Sequence, residues 1–91
     1  MRNDRFEWDD EKARRNLLAH EISFDAACSV FDDPNSIEER DDDPDEDRFN
    51  ITGLVQGRLV TVCCTDRPPR LRLISARKAN RREQAKYFRQ A

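Results

Sequence analysis

Between Leu71 and Gln90 the side-chain period changes once, and that change limits what the chain can build. Leu71-Arg72-Leu73-Ile74-Ser75-Ala76 alternates as a strand does, with Leu71, Leu73 and Ser75 facing one way and Arg72, Ile74 and Ala76 the other. From Ala79 to Gln90 the run is polar, holds neither Gly nor Pro, and reads as a helix. Leu71 and Leu73 can join a core while Arg70 and Arg72 stand on the opposite face. Residues 67–91 carry nine Lys/Arg against one acid, Glu83. A strand that carries arginines into a cationic helix suits a phosphate-bearing partner. The same residues also describe a solvated helix beside an edge strand protected by charge.

Ninety-one residues leave room for one small domain, residues 1–91, and no second core. Charged residues make up 40% of the chain and the mean hydropathy is -1.01, so that core is thin. Its apolar residues are nonetheless periodic, unlike those of a disordered chain. No apolar run is long enough to span a membrane and no signal-type segment follows Met1, so a cytoplasmic protein is expected. Three cysteines, no C-x-x-C pair and one distant histidine argue against structural zinc and a disulfide framework, leaving buried thiols and no metal or other cofactor. The net charge of -2 conceals a polarity: residues 32–47 hold ten acids and only Arg40, against the basic C-terminal quarter.

Taken in order, Arg5-Phe6-Glu7-Trp8 predicts a short strand with Phe6 and Trp8 inward. Asp9 or Asp10 offers an N-cap for a helix to about Glu21, with a buried stripe of Ala13, Leu17 and Leu18. Lys12, Asn16 and His20 stack along its side. Ser23 caps a second helix whose Phe24, Ala27, Cys28 and Phe31 share a face, and Asp33-Pro34-Asn35 stops it. Residues 36–39 form a weak strand and residues 41–47 an acidic loop. Phe49 and Ile51 face inward from the next strand, Gln56-Gly57 turns a hairpin, and residues 59–65 supply the central strand. Pro68-Pro69 breaks the chain before the arginine strand. The order predicts an α+β architecture: a small antiparallel sheet with two N-terminal helices on one face and a C-terminal helix.

Phe6-Glu7-Trp8-Asp9, Lys12-Ala13, Asn16 and His20 with Ile22-Ser23-Phe24 resemble the N-terminal signature of the BrnT toxins. Asp32-Asp33-Pro34, Arg48-Phe49, the hairpin, Arg72-Leu73-Ile74-Ser75-Ala76-Arg77, Arg82-Glu83 and Tyr87 extend the resemblance over almost the whole chain. It implies a RelE-like ribonuclease fold and a type II toxin that cleaves RNA and stops translation. It also implies a neutralising antitoxin encoded alongside, a BrnA-like ribbon-helix-helix protein through which the complex reaches operator DNA and represses its own operon. Two departures stand out. The family's Lys-His-Gly is here Ala19-His20-Glu21, and the loop before Arg48 carries acids where the family often carries a histidine. Both make the neighbourhood less attractive to phosphate.

Metal-free RNA cleavage needs a base for the 2′-OH, an acid for the 5′-oxygen, and cations for the charge that builds on the phosphorane. Arg72 and Arg77 fit the last role through bidentate contacts to phosphate oxygens, with Arg48 sharing it from a neighbouring strand. Both are assigned to the polar face or strand end, so their replacement should spare the fold. His20 is the one residue of a type that titrates near neutrality, although a histidine at a helix C-terminus also serves the helix dipole. Glu83 is open to two roles, general base or orienting partner of Arg77. Lys12, Arg70, Arg82 and Tyr87 complete the candidate RNA-binding set, Tyr87 by stacking or by packing the last helix onto the sheet. The competing reading is a module with a weakened site that serves as antitoxin partner and corepressor. A DNA-binding protein acting alone fits poorly, for want of a helix-turn-helix pattern.

Overall fold

The computed structural model describes residues 1–41 and 47–90. Five strands and three helices follow in the order β1 (Phe6–Glu7), α1 (Asp10–His20), α2 (Phe24–Ala27), β2 (Ile37–Asp41), β3 (Arg48–Val55), β4 (Arg58–Arg67), β5 (Arg70–Lys78) and α3 (Arg81–Gln90), with a 3-10 turn at Cys28–Asp32. The chain is α+β, as its periodicities predict. The sheet order β1-β5-β4-β3-β2 makes β4 the middle strand. The sheet is mixed rather than wholly antiparallel: β2 to β5 pair antiparallel, but β1 runs parallel to β5, with Phe6 opposite Leu71. Alternation tells which side chains of a two-residue strand face inward, not which way it runs, so only the pairing reveals this. Of the acidic loop, residues 42–46 lie outside the described residues; Asp41 ends β2 and Asp47 pairs with Arg40 at 2.9 Å. No described helix is long and apolar enough to cross a membrane.

Asp9 caps α1 by accepting from the Lys12 N–H, and Ser23 caps α2 by accepting from the Ala26 N–H. The second helix is shorter than its apolar repeat suggests, because the chain tightens to 3-10 geometry at Cys28. The face α1 presents to the sheet also differs from expectation. Leu17 and Leu18 are 48% and 74% exposed, whereas Asn16 is buried at 7%. Its amide donates to the carbonyls of Ile22 and Ala76 and accepts from the Ala76 N–H. The core itself gathers Phe6, Trp8, Phe24, Val30, Val62 and Leu73, with the Trp8 and Phe24 rings edge to face at 5.7 Å.

Gln56 and Gly57 both have positive φ, 51° and 79°, as a tight two-residue hairpin turn needs. Glu21 ends α1 at φ 60°, in the left-handed conformation that glycine adopts without steric cost. The departure from Lys-His-Gly therefore places a side chain where the backbone favours none. Glu21→Gly should raise stability by about 0.5–1 kcal/mol, the relief of left-handed strain less the extra freedom of an unfolded glycine. Thermal unfolding checks this; for a domain of this size about 4–8 °C accompanies each kcal/mol.

Candidate functional site: the polar face of the sheet

Directly paired residues of neighbouring strands share a face, so the register defines a polar surface opposite the core. Arg72 pairs with Thr65 and Thr65 with Arg48, which sets two arginines in one row across β4. Two strand spacings separate them, about 10 Å. Asp41 of β2 and Glu7 of β1 end the same row. Two residues along, Ser75, Cys63, Asn50 and Glu39 form a second row, and Arg77, Thr61 and Thr52 stand in a third.

Arg77 reaches this face because β5 is irregular. Ser75 pairs with Cys63 and Leu73 with Cys64, leaving Ile74 as an extra residue. The bulge shifts the alternation by one. Ala76 thereby joins Leu71 and Leu73 on the core side instead of standing with Arg72. Arg77, which strict alternation places with the leucines, turns to the side of Arg72.

Each arginine is held by a carboxylate from another element. Arg72 donates to Glu7 at 2.8 Å. The Arg77 guanidinium makes a two-pronged contact with Glu83, at 2.8 and 3.0 Å. Glu83 is 1% exposed and forms a capping box with Asn80: its carboxylate accepts from the Asn80 N–H at 2.9 Å, and the Asn80 side chain accepts from the Glu83 N–H at 2.8 Å. Burial alone raises its pKa, but bonds from Arg77, the Asn80 backbone and Thr61 outweigh burial and hold the carboxyl below its usual range. The Thr61 hydroxyl also lies 2.7 Å from that of Thr52, a contact in which either can donate. This geometry suits Glu83 to orienting Arg77; a carboxylate so fully engaged is a weak base.

The remaining candidates are distributed more widely. Arg82 and Lys86 both bind Glu39, at 2.9 and 2.7 Å, which ties α3 to β2. Tyr87 is 4% exposed and donates to Asp33 at 2.7 Å, so it packs α3 onto the body of the protein. Arg70 donates through Nε to the Asn3 carbonyl at 2.6 Å. Lys12 is exposed on the first turn of α1. His20 stands beside Lys78 on the rim of a cavity of about 580 Å³. Among the described residues, no hydrogen bond or ion pair joins Lys12 or His20 to Arg72 or Arg77. Arg72, Arg77 and Arg48 thus share one face, and His20 lines a cavity at the Arg77 end of the sheet, away from Arg72 and Arg48.

Glu7 and Cys63 are site residues that the sequence reading did not single out. The alternation that sends Phe6 and Trp8 inward also sends Glu7 outward, and this was the available signal. Cys63 lies among Asp41, Arg48 and Arg77; burial pushes its thiol up to about 11, with the Asp41 charge acting in the same direction. Cys64 and Cys28, raised chiefly by burial to about 12 and 11, are free thiols like Cys63 and equally inert near neutrality.

A family model describing the ribonuclease toxin BrnT of type II toxin–antitoxin systems matches residues 8–83. The chain belongs to the BrnT family. No curated protein matches it. Membership gives the chain a toxin's role and implies an antitoxin as its partner. In this BrnT chain the segment matched runs from Trp8 to Glu83 and so contains both Arg72 and the Arg77–Glu83 pair.

Proposed function

We propose that the polar sheet face binds single-stranded RNA and cleaves it without metal, as a RelE-like ribonuclease, so that translation stops in the cytoplasm. The observation that carries this reading is the placement of Arg72 and Arg77 on one face, each aimed by a carboxylate. Such preorganised guanidinium groups suit non-bridging phosphate oxygens and the charge that gathers on them. Arg48 extends the track across β4, and Arg82 lies beyond it on α3. The antitoxin on this reading is BrnA-like, a ribbon-helix-helix protein that brings the complex to operator DNA.

Neither Cys63 nor Glu83 is poised to exchange a proton near neutrality, so on this reading solvent water takes the 2′-OH proton and returns one to the departing 5′-oxygen. The protein accelerates the step by charge stabilisation and alignment of the 2′-OH. The reacting cluster on this reading excludes His20. A general acid–base contributes about 10²–10⁴-fold, so His20→Ala is expected to retain cleavage well above such a loss. A loss of that size would return the histidine to the mechanism.

The deciding experiment is cleavage of single-stranded RNA by purified protein in excess chelator, with Arg72→Ala beside it. Loss of one stabilising donor typically costs about 10²–10³ in rate. Loss of one phosphate contact lowers the salt slope of single-strand binding by about 0.7. A chelator-sensitive reaction, or an Arg72→Ala protein that is folded and unchanged, overturns the proposal. One observation favours a second reading, a corepressor with a weakened site: on this face Arg48, Arg72, Arg77, Arg82 and Lys86 meet Glu7, Glu39, Asp41 and Glu83, so charge is nearly balanced. RNA binding without cleavage would establish it.

A further inference from the structure

The cavity beside His20 lies where the end of α1, the β3–β4 hairpin and α3 meet. Its walls are apolar: Ile22, Leu59 and Val60, with Leu54 and Phe88 at the mouth. Leu54 is 44% and Phe88 64% exposed, high values for large apolar side chains on so polar a chain. The rim carries two cations, Arg58 and Lys78, against one acid, Glu21, and the His20 side chain also lines it. Among the described residues, Arg58 and Lys78 have no ion-pair partner, unlike Arg72 and Arg77 on the polar face. Lys78 lies about 20 Å along β5 from Arg72 but directly follows Arg77, and Leu54 and Leu59 form the next row beyond Thr52 and Thr61. The cavity therefore borders the Arg77 end of the polar face and lies away from its Arg72 end.

We propose that this cavity is where the antitoxin docks, through an amphipathic segment that seats apolar side chains between Leu54 and Phe88 and sets acidic ones against Arg58 and Lys78. The inference rests on family membership, which implies an antitoxin, and not on where RNA is cut. Charge complementarity selects the occupant. An apolar floor beside cations that have no ion-pair partner among the described residues matches a segment with an apolar stripe and an acidic flank. A small ligand confined to the cavity would leave the outer ring of Phe88 in water, whereas a chain lying across the mouth covers it. Leu18, at 74% exposure the most open large apolar side chain, is not part of the cavity wall and serves as an internal control.

The test uses full-length protein and the antitoxin encoded beside it, with affinity read by titration calorimetry and folding by thermal unfolding. Phe88→Glu and Leu54→Glu are expected to weaken antitoxin binding at least tenfold while leaving the fold and RNA cleavage intact. In cells this combination appears as a toxin that the antitoxin no longer neutralises. Arg58→Glu and Lys78→Glu should weaken binding and make it less sensitive to salt; Leu18→Glu should do neither. Wild-type affinity in the Phe88 and Leu54 variants overturns the proposal. So does an equal loss in Leu18→Glu, which would mean unspecific apolar contact. A change of oligomeric state with antitoxin affinity unaltered assigns the cavity to a second copy of the chain, and loss of RNA binding alone assigns it to substrate; either result rejects antitoxin docking. Unaltered affinity in both charge variants rejects an acidic occupant. If the wild-type protein fails to bind the antitoxin, the partner itself is excluded, whatever the outcome of the cleavage assay.

Discussion

Replacing Arg77 with Ala is expected to cost the fold about 3 kcal/mol, the low end of what breaking a buried ion pair costs, because the guanidinium is partly solvated. The loss falls mainly on Glu83, whose side chain is 2% exposed and would keep its charge with its principal partner gone. A domain of this size holds on the order of 5–14 kcal/mol in all, so the variant should melt well below the parent. The expectation that Arg77 could be removed without harm to the fold is therefore revised for Arg77 and retained for Arg72, whose partner Glu7 is 19% exposed. Arg77→Ala combined with Glu83→Gln should recover part of the loss, since the glutamine amide leaves no stranded charge. A double variant no more stable than Arg77→Ala would mean that the pair is not the source of the cost.

The same pair sets a pH dependence. The Glu83 carboxyl is held below its ordinary value of 4.5, so the folded state binds its proton less readily than the unfolded chain does. The stability this contributes is fully present above the unfolded value and is lost as pH falls through the lower folded one. Wild-type protein should lose stability below about pH 4.5, and the Arg77→Ala, Glu83→Gln protein should lose less over that interval. Denaturant titrations at pH 7 and pH 3.5 measure the difference.

How much of this could be read from sequence is clearest along β5. The leucine row, the arginine face and the helix after Ala79 all follow from side-chain period, and the turn at Gln56-Gly57 follows from its residue types. The bulge does not. One unpaired residue, Ile74, depends on how β4 and β5 slide against each other, and nothing local to Leu73-Ile74-Ser75 signals it. Its effect is large, because without it Arg77 would face the core. The α1 stripe misled for a related reason. Of the expected stripe only Ala13 packs against the core; Leu17 and Leu18 do not, because the face that meets the sheet is set by Asn16, whose partners on Ala76 lie sixty residues away in sequence. A side chain that bonds backbone leaves no trace in hydrophobic periodicity. Which candidates share a surface likewise depended on the assembled sheet, since His20 and Arg72 are placed by different elements.

Asn16 is expected to be the second residue whose loss the fold tolerates poorly. Strand β1 covers β5 only at Leu71 and Arg72, so the edge of β5 at Ala76 lacks a neighbouring strand. The Asn16 amide takes that place, accepting from the Ala76 N–H at 3.1 Å and donating to its carbonyl at 2.9 Å, with the Ile22 carbonyl at 3.0 Å as a second acceptor. Only an amide offers an acceptor and two donors in one planar group, and only one orientation of it satisfies all three backbone atoms. Asn16→Ala leaves those atoms without partners in a buried setting, at a cost of about 2–4 kcal/mol. Asn16→Asp carries a distinct signature. A carboxylate there still accepts from the Ala76 N–H but meets two carbonyl oxygens, so burial and those dipoles raise its folded pKa above the unfolded one. Its protonated form can donate to one of the carbonyls. The Asn16→Asp protein should therefore be more stable at low pH and lose that gain as pH rises through the folded pKa, the reverse of the slope that Glu83 imposes. Chemical denaturation of the variant between pH 4 and pH 8 reads the sign directly. A stability that falls with acid as in the parent would mean that water, rather than Asn16, satisfies the edge of β5.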